Sequence, residues 1–183
     1  MIKEVFFLVM QLLLDPEQAW RDMDAEAYEA DMFLRNFLHP IMGGIAVCVF
    51  VGGMYFTQPG GVDVALKMTI VSVVSLYGGF LVSSYFLNEL APRYGLPSDL
   101  YLYKMFAGYA SVALYVVCFV IPFFSFFFII WLFVFYTIYL VYVGAKFFLK
   151  IDENQRVSFS FAASTILLFS PGIIYFILNS LMR

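Results

Sequence analysis

Four runs of the chain carry no Asp, Glu, Lys or Arg: residues 36–62, 68–88, 105–145 and 157–182. A helix rises 1.5 Å per residue, so about 20 apolar residues cross the roughly 30 Å hydrocarbon core of a bilayer. Three of the runs therefore predict one membrane span each, and the third run, at 41 residues, is long enough for two. The basic residues decide between one and two. If residues 105–145 fold back at Pro122, then Lys3, Arg21, Arg35, Arg93, Lys104, Lys146, Lys150 and Arg156 share one side, against Lys67 and Arg183 on the other. A single span would weaken that split to six against four. Basic residues gather on the cytoplasmic side. Five spans are expected, with the amino terminus in the cytoplasm and the carboxyl terminus outside. Their approximate bounds are 37–56, 67–89, 101–121, 126–148 and 158–181, in one membrane domain covering residues 1–183.

Ahead of the spans, residues 1–31 predict one or two amphipathic interfacial helices. The apolar run 1–14 is too short to cross. Lys3, Glu4 and Gln11 share one helical face, and Asp15 and Pro16 stand where a signal peptide would carry small residues. Asp15-Pro16-Glu17-Gln18 reads as a helix start, with Asp as N-cap and Pro in the first position. The helix it opens carries Ala19, Trp20, Met23, Ala27 and Ala30 on one stripe, with seven acidic residues around it against Arg21 alone. Glu17 can pair with Arg21 four residues on. Trp20 is expected to anchor at the membrane surface. The fold class is thus an all-α membrane protein: five transmembrane helices preceded by amphipathic cytoplasmic helices.

Small residues recur at four-residue spacing inside the spans. Gly44, Cys48 and Gly52 mark a face of span one, Ser75, Gly79 and Ser83 a face of span two, and Ala107 with Ser111 a face of span three. Helices in lipid associate through close backbone approach at such positions, so these eight are the candidate packing residues. Ser170-Pro171-Gly172 interrupts span five and predicts a kink. Composition agrees with membrane residence: 63% of residues are hydrophobic and 13% charged, where globular domains carry about a quarter charged. A net charge of −3 lacks the basic patch that nucleic acid requires.

Chemistry is sparse. Secondary transporters and pumps place ionisable groups mid-membrane, and the charges here stand at span ends. His39, the only histidine, is expected at the cytoplasmic start of span one, at the wrong depth for an intramembrane protease. One His and two separated Cys do not make an ordinary zinc site, and no cofactor motif is present. The expectation is a non-enzyme without cofactor, whose partners are the bilayer, a cytoplasmic or membrane protein, and a candidate second copy. Asp22, Glu26 and Glu29 form a candidate partner face, either for a basic protein or for the chain's own Lys146, Lys150 and Arg156. The alternative is a small channel or transporter with a path lined by Ser72, Tyr77, Ser84 and Thr165.

Several stretches resemble the Yip domain (Ypt-interacting protein) of bacterial membrane proteins. They are Leu14-Asp15-Pro16-Glu17-Gln18-Ala19-Trp20; Tyr109-Ala110-Ser111 followed by Ile121-Pro122; and Tyr139-Leu140-Val141-Tyr142-Val143-Gly144 in span four. The resemblance implies five spans, amino terminus inside, and no catalytic residues. It is associated in eukaryotes with vesicle trafficking and Rab GTPase binding. A short amino-terminal region suggests the bacterial form, in a bacterial inner membrane. The expected role is membrane organisation or protein recruitment at the cytoplasmic face.

Overall fold

The computed structural model describes residues 2–25, 30–58, 60–124 and 128–182, and among these every regular element is helical. Two short helices come first, α1 (Ile2–Leu14) and α2 (Pro16–Ala25). Span one begins with α3 (Ala30–Phe33), widens into a π-helical turn over Leu34–Leu38, and continues as α4 (His39–Tyr55). Span two is α5 (Val62–Leu90), prolonged by a 3-10 turn over Ala91–Tyr94. Span three is broken into α6 (Leu100–Ala110) and α7 (Val112–Val120). Span four joins a 3-10 stretch, Phe128–Phe135, to α8 (Tyr136–Phe147), and span five is α9 (Glu153–Leu181). Four of these segments are long and apolar enough to cross a membrane alone, and bent α6–α7 makes the fifth as one span. The chain is an integral, multi-pass membrane protein.

Helices α5 and α9 run antiparallel and touch along their whole length. Lys67 donates to the carbonyl of Met182 at one end. Gly79 meets Pro171 near the middle. Ser83 donates to the Ile166 carbonyl at 3.3 Å, and the Tyr94 and Ser158 hydroxyls lie 3.2 Å apart at the other end. From Lys67 to Tyr94 that seam is about 40 Å long, longer than the hydrocarbon core. Lys67 thus serves the carbonyl end of α9, where a cation complements the helix dipole. Arg93, Lys104, Lys146, Lys150 and Arg156 all stand where the loops joining α5 to α6 and α8 to α9 emerge. We call this the basic end.

The irregular turns have local causes. Pro40 has no N–H to give the carbonyl four residues back, and its ring crowds that carbonyl. The turn before it opens, and the His39 N–H reaches the Leu34 carbonyl instead. Ser111 donates its hydroxyl to the Ala107 carbonyl at 2.7 Å, a back-bond that bends helices. There α6 and α7 diverge by 43°. The interruption expected at Ser170-Pro171-Gly172 is absent as a break, since α9 is one helix through Pro171. Ser170 donates to the Ile166 carbonyl at 2.7 Å, and Pro171 is buried against α5. Span four is half 3-10 rather than one α-helix. Its run of Phe, Ile, Trp and Val is poor in strong helix formers, and a 3-10 rise of about 2.0 Å per residue lets fewer residues cross. Pro122 makes the turn between α7 and span four and packs on Gly52 of α4.

Close approach of α5 and α9 rests on Gly79. A Cβ there would lie 2.6 Å from the Pro171 Cα and 2.7 Å from its nitrogen, both backbone atoms that cannot swing aside. At Gly43 a Cβ would meet nothing within 4 Å. Gly79→Ala is therefore expected to destabilise by about 1–3 kcal/mol through overpacking. Gly43→Ala is expected to be neutral or to gain up to about 1 kcal/mol from helix propensity. Thermal unfolding of both variants in detergent checks the contrast; equal midpoints would refute it.

Candidate functional site: the basic end and its tryptophan socket

Helices α1 and α2 meet at Asp15, and α2 packs along α8, with Leu13 beside Tyr136 and Trp20 over Gly144. Asp15 caps α2, its Oδ1 accepting from the Gln18 N–H at 3.2 Å. Asp22 ties the pair: Gln11 Nε2 donates to Oδ2 at 2.7 Å and Gln18 Nε2 to Oδ1 at 2.6 Å. Tyr136 at the start of α8 donates its hydroxyl to the Leu13 carbonyl at 3.0 Å. Lys3, Gln11, Asp22, Met23, Phe37 and Tyr109 help line a groove of about 790 Å³ between this pair and span one. Phe6, Phe7 and Leu14 project from α1 with 66%, 69% and 76% of their surface exposed, the apolar face expected of an interfacial helix.

Trp20 differs from its expected place at the membrane surface: it has no exposed surface at all. Its ring centre lies 5.5 Å from Phe106, 5.4 Å from Phe148 and 6.2 Å, edge-on, from Tyr109. The socket floor is Gly144, where a Cβ would come within 2.8 Å of the indole. A large side chain on a mostly polar helix thus enters the bundle between α6 and α8. The sequence signal lay in Gly144: a glycine on one helix leaves room for a large ring from another, and only the fold brings the two together.

Cations sit on rings around this socket. Arg21 lies 4.3 Å from the ring centre of Phe147, and the Lys146 ammonium lies 4.6 Å from the same centre. Arg156 lies 5.8 Å from Tyr142, and Lys104 lies 5.3 Å from Tyr101. Arg21 therefore turns to Phe147 rather than to Glu17. Of the acidic partner face, Asp22 is engaged by Gln11 and Gln18, and Glu26 and Glu29 lie outside the described residues. Lys150 holds a left-handed φ of 55° where α8 turns into α9, and the Ile151 N–H closes that turn on the Ala145 carbonyl at 2.9 Å. Arg156 donates to the Ile151 carbonyl at 3.2 Å.

The remaining sequence candidates are dispersed. The Gly44 position faces the Phe119 ring and Gly52 faces Pro122, while Cys48 is half-buried and unbonded to Cys118. Ser75, Ser83, Ala107 and Ser111 are buried, and Ser75 donates to the Val71 carbonyl of its own helix. Of the four path residues, Ser84 is buried and donates to Phe80, and Thr165 is exposed and donates to Phe161. Ser72 and Tyr77 are half-buried. His39 is deeper than expected. Its ring stacks on Tyr77 with centres 6.1 Å apart, and Tyr77 lies ten residues after Lys67 and twelve before Glu89. At 1.5 Å per residue that is about 15 and 18 Å from the two charges, near mid-membrane. The π turn and four more helical residues ahead of His39, where the sequence suggested a span start at Phe37, account for the shift. Among the described residues no three His, Cys, Asp or Glu gather to hold a metal ion.

The Yip1 domain family matches residues 10–174. No curated protein and no solved structure was found to match the chain.

Truncating a fully buried aromatic costs about 3–5 kcal/mol, so Trp20→Ala is expected to lower unfolding stability by that order. The same variant should expose the Arg21 peptide bond to trypsin in otherwise folded protein. Gly144→Leu, which fills the socket from the other side, should produce both effects. Limited proteolysis with thermal unfolding checks this, and wild-type resistance in both variants would contradict the socket.

Proposed function

The chain belongs to the Yip1-domain family, and from that premise we propose that it is a non-enzymatic protein organising membrane or recruiting protein at its basic end. That end faces the cytoplasm, in a bacterial inner membrane, and the whole chain works as one domain. The observation that carries the reading is the burial of Trp20, which fixes α2 to the bundle with Glu17, Gln18, Arg21 and Asp22 exposed. Two further observations support it. The described basic loop residues share the end where α2 docks, the arrangement that membrane insertion imposes on cytoplasmic loops. The hydroxyls of Ser75, Ser84, Ser111, Thr165 and Ser170 go to carbonyls of their own helices, which suits packing more than transport.

The acidic segment after Trp20 is then the recruiting face, tethered by the socket and repelled from an anionic leaflet. Reversing Glu26 and Glu29 to Lys is expected to weaken recovery of a basic partner in a crosslinking pull-down from cells; unchanged recovery would refute recruitment through this face. The orientation is checked in the same cells with Asp152→Cys. A membrane-impermeant thiol reagent added outside should leave it unlabelled, and external labelling would reverse the assignment.

A further inference from the structure

Two cations from two helices meet on one ring at the basic end, and a third from α9 stands over a ring one turn away. Arg21 of α2 and Lys146 of α8 approach the single ring of Phe147, which holds the two charges within about 9 Å, near one Debye length. Arg156 of α9 stands over Tyr142, one turn along α8 from Lys146. Among the described residues no ion pair is made by any of the three. Asp22, the acid next in sequence to Arg21, is engaged by Gln11 and Gln18. The Arg156 Nε is buried and without a hydrogen-bond partner. Like charges gathered this closely repel one another, and an anion placed among them would remove that cost.

Below the cations runs an apolar stripe of matching length. Phe135, Tyr139 and Tyr142 recur at helical spacing on the face of α8 that ends at Lys146. They are 60%, 45% and 37% exposed. From Phe135 to Lys146 is about 16 Å, close to half of the roughly 30 Å hydrocarbon thickness, hence one leaflet. An acyl chain lying on this stripe would bring its headgroup phosphate to the three cations.

We propose that Arg21, Lys146 and Arg156 form a binding site for the phosphate of an anionic phospholipid, whose acyl chain lies along Phe135, Tyr139 and Tyr142. Arginine offers a planar fork to phosphate oxygens and lysine a point charge, so a pair of both is suited to a headgroup. Because Arg21 follows Trp20 directly, the lipid would also bridge α2 to α8 and α9 and reinforce the socket. The inference goes beyond protein recruitment and needs only the placement of α8 in the bilayer. A recruiting face can therefore fail while this site stands, and the reverse.

Native mass spectrometry of the purified full chain, titrated with phosphatidylglycerol or phosphatidylcholine, tests it. Phosphatidylglycerol should be retained at least about tenfold more tightly, the equivalent of about 1.4 kcal/mol. Arg21→Gln with Lys146→Gln should abolish that preference, Arg156→Gln alone should reduce it, and Lys104→Gln, also a cation on a ring at this end, should leave it intact. The exposed positions of Arg21 and Lys146 make loss of folding unexpected, and unchanged thermal midpoints verify it; Arg156→Gln provides a second reading if the double variant does not fold. Equal retention of the two lipids, or a wild-type preference in the variants, would overturn the proposal. Displacement of the lipid by inorganic phosphate or by an acidic peptide at equal concentration would also overturn it, assigning the cations to a free anion or to protein.

Discussion

Trp20 has no exposed surface, although it belongs to a ten-residue helix with four charged side chains. That burial is the contact on which the basic end depends. Helices of this length are marginal alone, since nucleation fixes several residues for one hydrogen bond and stability must come from packing. The indole supplies that packing by entering between α6 and α8 over Gly144, with Phe106, Tyr109 and Phe148 around it. Fixing Trp20 also fixes its neighbours. Asp22 then reaches Gln11 and Gln18, and Arg21 reaches Phe147. The placement of charge at the basic end thus follows from the placement of one apolar ring.

The membrane bundle presents a complementary surface for its own reasons. Lipid gives no hydrophobic drive for helices to associate, so contact depends on close fit. Gly79 against Pro171 and Gly52 against Pro122 are such fits, each pairing a glycine with a proline ring that has no N–H to satisfy. The bend at Ser111 belongs to the same logic: it splits span three so that α6 carries Phe106 and Tyr109 to the socket while α7 meets α4 at Gly44. A straight span would not serve both ends.

Much of this was legible in the chain, in particular the runs without charge, the Asp15 cap and the fold-back at Pro122, because each depends on local sequence. Three features were not. Trp20 read as a surface anchor because its partner Gly144 lies more than a hundred residues away, and no local pattern joins them. The break appeared at Ser111, whose back-bond acts within its own turn, while α9 stays one helix through Pro171. His39 read as the start of a span because the helical turns ahead of it contain Asp31, Arg35 and Asn36, polar residues that mark a boundary by composition while the backbone continues. The stretches that carried the resemblance are also more than labels. Trp20, Tyr109 and Gly144 come from three of them and meet at one point.

A fluorescence measurement on Trp20 tests that meeting point most directly. Replacing Trp131 by Phe leaves Trp20 as the sole tryptophan, and the variant can be placed in bilayers containing lipids brominated near the headgroup. The socket predicts a blue-shifted emission that neither aqueous acrylamide nor the brominated lipid quenches. Strong quenching by the brominated lipid would put Trp20 in the headgroup layer, and strong quenching by acrylamide would put it in water; either result would contradict the account.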